Sequence, residues 1–195
     1  MKILETDIPG VLIIESDVFE DERGFFMETY QKERYAEGGI PGFVQDNLSF
    51  SKDAGTLRGL HYQAAPYAQG KLVSVLRGEV FDVAVDIRRD SPTFGRHVSV
   101  VLSAENKRQF YVPEGFAHAF QTTQSDTLFS YKCTNNYSKE HDRGILWSDS
   151  ELGIDWPITE DVILSEKDTA HPILASLESD PVRWEELRFE YKNGA

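Results

Sequence analysis

The stretch Gly55-Thr-Leu-Arg-Gly-Leu-His-Tyr-Gln63 carries Arg58, His61 and Gln63 on what reads as one strand. Strand side chains alternate, so His61 and Gln63 share a face. Lys71 opens the next strand, and the segment Phe110-Tyr-Val-Pro-Glu-Gly-Phe-Ala-His118 sets a tight turn before a strand that starts near His118. An imidazole trades protons near neutral pH. An ammonium steadies an oxygen on which negative charge builds. Together they suit removal of a proton from a carbon beside a carbonyl, with His61 as base and Lys71 at the enolate oxygen. An acid on the opposite face must return a proton, and a tyrosine hydroxyl on another strand serves. Taken singly, His61 reads as a satisfied structural histidine and Lys71 as a solvated strand end. Only the combination carries the chemistry.

The elements that must hold these groups are short strands. Val11 to Glu15, Phe25 to Tyr30, Phe43 to Phe50, Leu72 to Leu76, Glu79 to Arg88, His97 to Leu102, Gln109 to Val112, Ala117 to Thr122 and Leu128 to Lys132 are rich in β-branched and aromatic residues. Turn signals separate them at Asp21 to Gly24, Gly38 to Gly42, Gly55, Gly78, Ser91 to Gly95 and Pro113 to Gly115. Many short strands with such punctuation predict an all-β sandwich or barrel. Helical pattern is confined to Gln31 to Glu37 and Pro181 to Phe189. Within Glu79 to Arg88, Phe81, Val83, Val85 and Ile87 form a packing face. Val80, Asp82, Ala84 and Asp86 form the other, either a polar cavity wall or a solvent face; the strand alone favours solvent.

A chain of 195 residues suits one domain with its own core. The net charge of −13 repels phosphate backbones and argues against nucleic acid as a partner. A small anionic substrate would need a local concentration of Arg and Lys. The lone cysteine, Cys133, excludes an internal disulfide framework and a cysteine zinc cluster. No apolar run approaches a membrane span, and Met1 to Val11 does not read as a signal peptide. These features together point to the cytoplasm.

The two chemistry-bearing segments resemble the two motifs of the cupin superfamily, a small jelly-roll barrel. The first motif normally supplies His-x-His and a carboxylate to a metal. Here the pair is His61-Tyr62-Gln63, and the carboxylate position falls at Lys71. An ammonium is a poor neighbour for a divalent ion, so the motif reads as a barrel mouth without its metal site.

A closer resemblance runs in order across residues 8 to 168. It is carried by Asp21-Glu-Arg-Gly-Phe-Phe-Met-Glu28, Val44-Gln45-Asp46-Asn47, Leu57-Arg-Gly-Leu-His-Tyr-Gln63, Gly70-Lys-Leu-Val73 and Phe81-Asp-Val-Ala-Val-Asp-Ile-Arg88. It continues in Ser91-Pro-Thr-Phe-Gly95, Val112-Pro-Glu-Gly-Phe-Ala-His118, Tyr131-Lys-Cys-Thr134, Gly153-Ile-Asp-Trp-Pro157 and Leu164-Ser-Glu-Lys-Asp168. As a set these are similar to the dTDP-4-dehydrorhamnose 3,5-epimerase family. The resemblance implies a cupin-type jelly roll spanning residues 1–195, with about residues 170–195 peripheral. It also implies an isomerase that inverts C3 and C5 of a dTDP-4-dehydro-6-deoxy-D-glucose-type sugar nucleotide, giving dTDP-4-dehydro-L-rhamnose. No metal and no other cofactor is implied, and the expected assembly is a homodimer whose N-terminal segment reaches into the partner's site.

Position by position, the resemblance makes His61 the base, oriented by Asp168, with Tyr131 the acid and Lys71 at the C4 oxygen. His118 touches the sugar, supported by Asp82. Arg23, Arg58 and Lys167 hold the diphosphate, Glu28, Gln45 and Asn47 complete the pocket, and Tyr137 stacks on thymine. Two departures stand out: Asp142 where the family often has Glu, and Ala119 where it commonly has Gly. The alternatives are an epimerase acting on one carbon or on another nucleotide sugar, a metal-dependent cupin enzyme, and a sugar-binding module without catalysis.

Overall fold

Runs of β-branched and aromatic side chains become strands because the pleat lets each present alternate residues to two packed layers. In the computed structural model, which describes residues 1–177, they are β1 (Lys2–Glu5), β2 (Leu12–Glu15), β3 (Val18–Asp21), β4 (Gly24–Met27), β5 (Gln45–Ser51), β6 (Leu57–Gln63) and β7 (Lys71–Arg77). They continue as β8 (Glu79–Asp86), β9 (His97–Ser103), β10 (Arg108–Val112), β11 (Phe116–Thr122), β12 (Thr127–Cys133) and β13 (Asp142–Gly144). Two short helices, α1 (Lys32–Glu37) and α2 (Glu166–Thr169), complete the frame. Gln31 caps α1, its side-chain oxygen accepting from the Arg34 amide at 2.7 Å. The helix expected at Pro181 to Phe189 lies outside the described residues.

Two antiparallel sheets face each other as a jelly roll. One has the order β1-β2-β10-β7-β12-β5 and the other β13-β6-β11-β8-β9. Val73, Val75, Phe110 and Phe129 from the first meet Val80, Ala84, Val100, Leu102 and Phe120 from the second in a shared interior. The outer face of the second sheet is covered by Ile145, Leu152, Trp156 and Leu174. Tyr35 of α1 and Ile40 cover Leu72 and Tyr111 on the first.

This double covering corrects the reading of β8. Val80, Asp82, Ala84 and Asp86 are all 0 % exposed, so neither face meets solvent. Alternation of polarity marks a face that is different, and here the difference is barrel interior against outer layer. Asp86 is structural. Its carboxylate accepts five hydrogen bonds, from the Arg88 amide and guanidinium and from the Ser91 and Thr93 hydroxyls. Burial pushes its carboxyl up, but these donors outweigh burial and hold it below the usual carboxylate range. Asp86→Ala is expected to cost about 3–5 kcal/mol, because it removes a buried carboxylate from its ion pair with Arg88 and leaves the Ser91 and Thr93 hydroxyls without their acceptor. Urea denaturation checks this; a loss under about 1 kcal/mol would show that the turn holds itself.

Among the described residues β3 and β4 pair only with each other. Phe19, Phe25 and Phe26 on this hairpin are 64 %, 58 % and 70 % exposed. A two-stranded ribbon of that kind is marginal alone.

Candidate active site

The barrel mouth opens on a cavity of about 400 Å³, lined by Arg58 and His61 of β6, Lys71 of β7, His118 of β11, Tyr131 of β12, and Lys167 and Asp168 of α2. β6 and β11 pair with His61 opposite His118, and β7 and β12 pair with Lys71 opposite Cys133. The four strands therefore bring the candidate base and the candidate electrophile into one cavity from opposite sheets.

A strict two-residue period would put Arg58 and His61 on opposite faces of β6. They share the cavity because the pairing with β11 slips between His118 and Phe120. Gly59 makes the slip possible. Its φ is +132°, and a Cβ there would lie 2.3 Å from the Ala119 Cβ.

His61 Nε2 lies 2.5 Å from Asp168 Oδ1. α2 holds the carboxylate in place. Ser165 caps it, its hydroxyl accepting from the Asp168 amide at 3.2 Å. The Ser165-x-x-Asp168 spacing is a helix-start signal that the sequence offers and that the strand-dominated reading missed. Burial pushes the Asp168 carboxyl up, but the His61 hydrogen bond and charge outweigh it and hold the carboxyl below its ordinary value. The side chain is 4 % exposed, against 30 % for His61.

Lys71 takes part in no ion pair among the described residues. Burial lowers its ammonium from the ordinary value, while Cys133, Asp142 and Asp82 pull the other way. Burial pushes the Tyr131 hydroxyl up, so the phenol keeps its proton at neutral pH. His118 Nε2 meets Asp82 Oδ1 at 2.8 Å, both side chains being buried. Burial lowers the His118 imidazole and raises the Asp82 carboxyl.

Of the expected rim residues, Gln45, Tyr137, Asp142 and Lys167 form a linked chain. The Tyr137 hydroxyl donates to Asp142 Oδ2 at 3.0 Å, and Lys167 Nζ donates to the same oxygen at 2.5 Å. The Tyr137 amide donates to Gln45 Oε1, and Gln45 Nε2 donates to Asn47 Oδ1. The shorter Asp142 thus reaches both Tyr137 and Lys167. Arg23 and Glu28 are not brought to this cavity. Arg23 sits at the turn of the β3–β4 hairpin, 89 % exposed and paired with Asp21, and Glu28 pairs with Arg34 of α1 at 3.0 Å. Within one chain the hairpin stands off the barrel mouth. His171, which the sequence reading passed over, packs beside Asp168; its helical spacing of three from Asp168 was the available signal.

The cupin motif positions do not suit a metal. The Gln63 amide donates to the Tyr67 and Asn136 carbonyls and its oxygen accepts from the Ser138 amide at 2.6 Å, so it pins two loops rather than facing an ion. Lys71 brings a positive charge where the motif needs a carboxylate.

Two facing antiparallel sheets with a polar cavity at the mouth define a protein of the cupin class in which Gln63 and Lys71 stand where metal ligands would. Within that class the chain belongs to the dTDP-4-dehydrorhamnose 3,5-epimerase family, whose sequence profile matches residues 5–176. It is therefore an isomerase. A dTDP-4-dehydrorhamnose 3,5-epimerase of Shigella flexneri is 57 % identical over 170 residues, 86 % of this chain and 93 % of that protein. One from Salmonella typhimurium is 54 % identical over 176 residues, 89 % of this chain and 96 % of that protein. The crystal structure of dTDP-6-deoxy-D-glucose-3,5-epimerase from Legionella pneumophila, in complex with dTDP-4-keto-L-rhamnose, superposes with a TM-score of 0.87 at 54 % identity, covering 91 % of this chain and 94 % of that one.

Proposed function

We propose that the chain inverts C3 and C5 of a dTDP-4-dehydro-6-deoxy-D-glucose-type sugar nucleotide, giving dTDP-4-dehydro-L-rhamnose. The observation that carries this is the convergence of His61, Lys71 and Tyr131 on one cavity, with Asp168 against the His61 ring. Asp168 engages Nε2, which leaves Nδ1 as the atom that takes a proton from C3 or C5. The electron pair moves onto the C4 oxygen, and the Lys71 ammonium steadies the resulting enolate. Tyr131 then delivers its proton to the opposite face of the carbon and regains one from solvent, to which His61 releases the proton it took. The carboxylate beside His61 fixes its orientation and favours the imidazolium formed after abstraction.

Arg58 and Lys167 suit the diphosphate, since cations at the cavity edge answer its charge within an acidic chain. His118 contacts the sugar, Tyr137 stacks on the thymine ring, and Gln45, Asn47 and Asp142 shape the rim. The remaining expected ligands, Arg23 and Glu28, reach the nucleotide from a second copy in this reading. A homodimer is supported by the edge strand β5, whose Leu48 and Phe50 are 62 % and 49 % exposed, and by the three exposed phenylalanines of the hairpin. Sedimentation is expected to give twice the 22.2 kDa chain mass; a monomer at assay concentration removes the shared site. Among the described residues no helix is long and apolar enough to cross a membrane, and the buried free thiol of Cys133 suits the reducing cytoplasm.

The function is tested in heavy water. Deuterium should enter C3 and C5 of the proposed substrate, and NMR of the product separates inversion at both carbons from inversion at one. No incorporation rules out this substrate. Tyr131→Phe is expected to keep exchange at the abstracted positions while net epimerisation falls by about 10²–10⁴-fold. Unchanged turnover of that variant removes Tyr131 from the reaction.

A further inference from the structure

His171 has no part in the proton transfers above, yet its imidazole is built into the wall beside them. Its Nε2 lies 3.5 Å from Asp168 Oδ1, the oxygen that His61 Nε2 approaches at 2.5 Å. The two rings meet edge to face with centroids 5.7 Å apart. One ligand atom from each of His61, Asp168 and His171 falls within 4.8 Å of the others. The His171 side chain is 10 % exposed, and its Nε2 is buried without a hydrogen-bond partner among the described residues. Such orphans are rare in folded proteins and call for a reason. The ring is also held in place, since it lies so close over Gly144 that a Cβ there would come within 2.3 Å of Nε2.

Two imidazoles and a carboxylate are the donor set of borderline divalent ions. Bonds of about 2.0–2.2 Å in tetrahedral geometry set neighbouring ligand atoms about 3.3 Å apart. His171 and Asp168 already stand at that spacing. The His61–Asp168 pair must open by about 1 Å, and His61, the most exposed of the three, has cavity beside it. The Lys71 cation that spoils the cupin motif is not among the main charges acting on His171, and the nearby Lys167 is paired with Asp142. This trio shares only His61 with the cupin motif positions.

We propose that His61, Asp168 and His171 bind a divalent ion of the zinc class, and that this binding reversibly inhibits the epimerase. The ion replaces the proton held between His61 and Asp168, which leaves to solvent. A dication on Nε2 drains the basicity of Nδ1, so the base is lost while the ion is bound. The inhibition rests on His61 being the base; the binding does not.

Equilibrium dialysis of chelator-stripped protein against Zn²⁺ is expected to find one ion per chain. His171→Ala and His171→Asn should each weaken it at least tenfold, with turnover in chelator within twofold of the parent. Co²⁺ should give visible absorption bands that both variants lose, a readout independent of activity. Zn²⁺ should stop deuterium exchange in the parent, EDTA should restore it, and the variants should resist. Equal Zn²⁺ affinity in parent and both variants, or no binding by the parent at micromolar ion, overturns the site. Zinc held through His171 with exchange intact overturns the inhibition. Zinc held through His171 by a chain that exchanges nothing even in chelator upholds the site and overturns the epimerase reading instead.

Discussion

Replacing His61 with asparagine is expected to lower turnover by about 10²–10⁴-fold and to abolish deuterium exchange at both carbons. The two losses go together because abstraction precedes everything else. An amide accepts no proton at working pH, yet asparagine keeps a polar group opposite Asp168, so the cavity retains its shape. The KM should change little, since the base touches only the reacting carbon and does not hold the diphosphate. Asp168→Asn gives a companion result. The 2.5 Å contact would survive as a neutral hydrogen bond, but the charge that favours the imidazolium would be gone, and turnover should fall while KM holds. Exchange persisting in His61→Asn would show that another group takes the proton, and His118 would be the next to test. Its claim is weaker from the start, because burial lowers its imidazole and its side chain is 7 % exposed against 30 % for His61.

Much of this site was readable from residue types, and the unreadable part has physical causes. The strands that carry Lys71, His118 and Tyr131 were expected because each is rich in β-branched or aromatic residues and bounded by turn signals, and the stretch around His61 also read as a strand. β1, β3 and β13 were not, being three or four residues long with mixed polarity. A two-residue period has no means of announcing a slip, so the period alone does not show that the bulge at Gly59 brings Arg58 to the same cavity as His61. The pairing of His61 with Asp168 spans 107 residues. Local pattern could show that Ser165 begins a helical turn, but not that the turn docks on β6. Resemblance to the family supplied that pairing instead. The resemblance also grouped Arg23 and Glu28 with the pocket, whereas one chain keeps them on or beside an exposed hairpin. A family pattern records which residues a site uses without recording which copy of the chain provides them.

Lys71→Met is the second large effect expected, a fall in turnover of about 10²–10³-fold. Without the ammonium the enolate oxygen loses its only fixed counter-charge from β7, so every abstraction becomes harder. Methionine fills similar space and leaves no charge behind, which separates chemistry from folding. Desolvating an ammonium without an ion-pair partner is costly. The variant should therefore unfold at the same urea concentration as the parent or a higher one. The pH profile identifies the group independently. Burial lowers the Lys71 ammonium from 10.5, whereas burial raises the Tyr131 hydroxyl above 10.0. As pH rises, the lysine loses its proton and the enolate loses its stabiliser, so the alkaline limb of kcat/KM should lie below the ordinary lysine value. If the limb belongs to Lys71, Lys71→Arg should shift it upward, because a guanidinium stays charged throughout that range. Turnover of Lys71→Met within threefold of the parent would mean that the carbonyl oxygen is polarised from elsewhere in the cavity. The lysine would then be a binding group, and its loss would appear in KM alone.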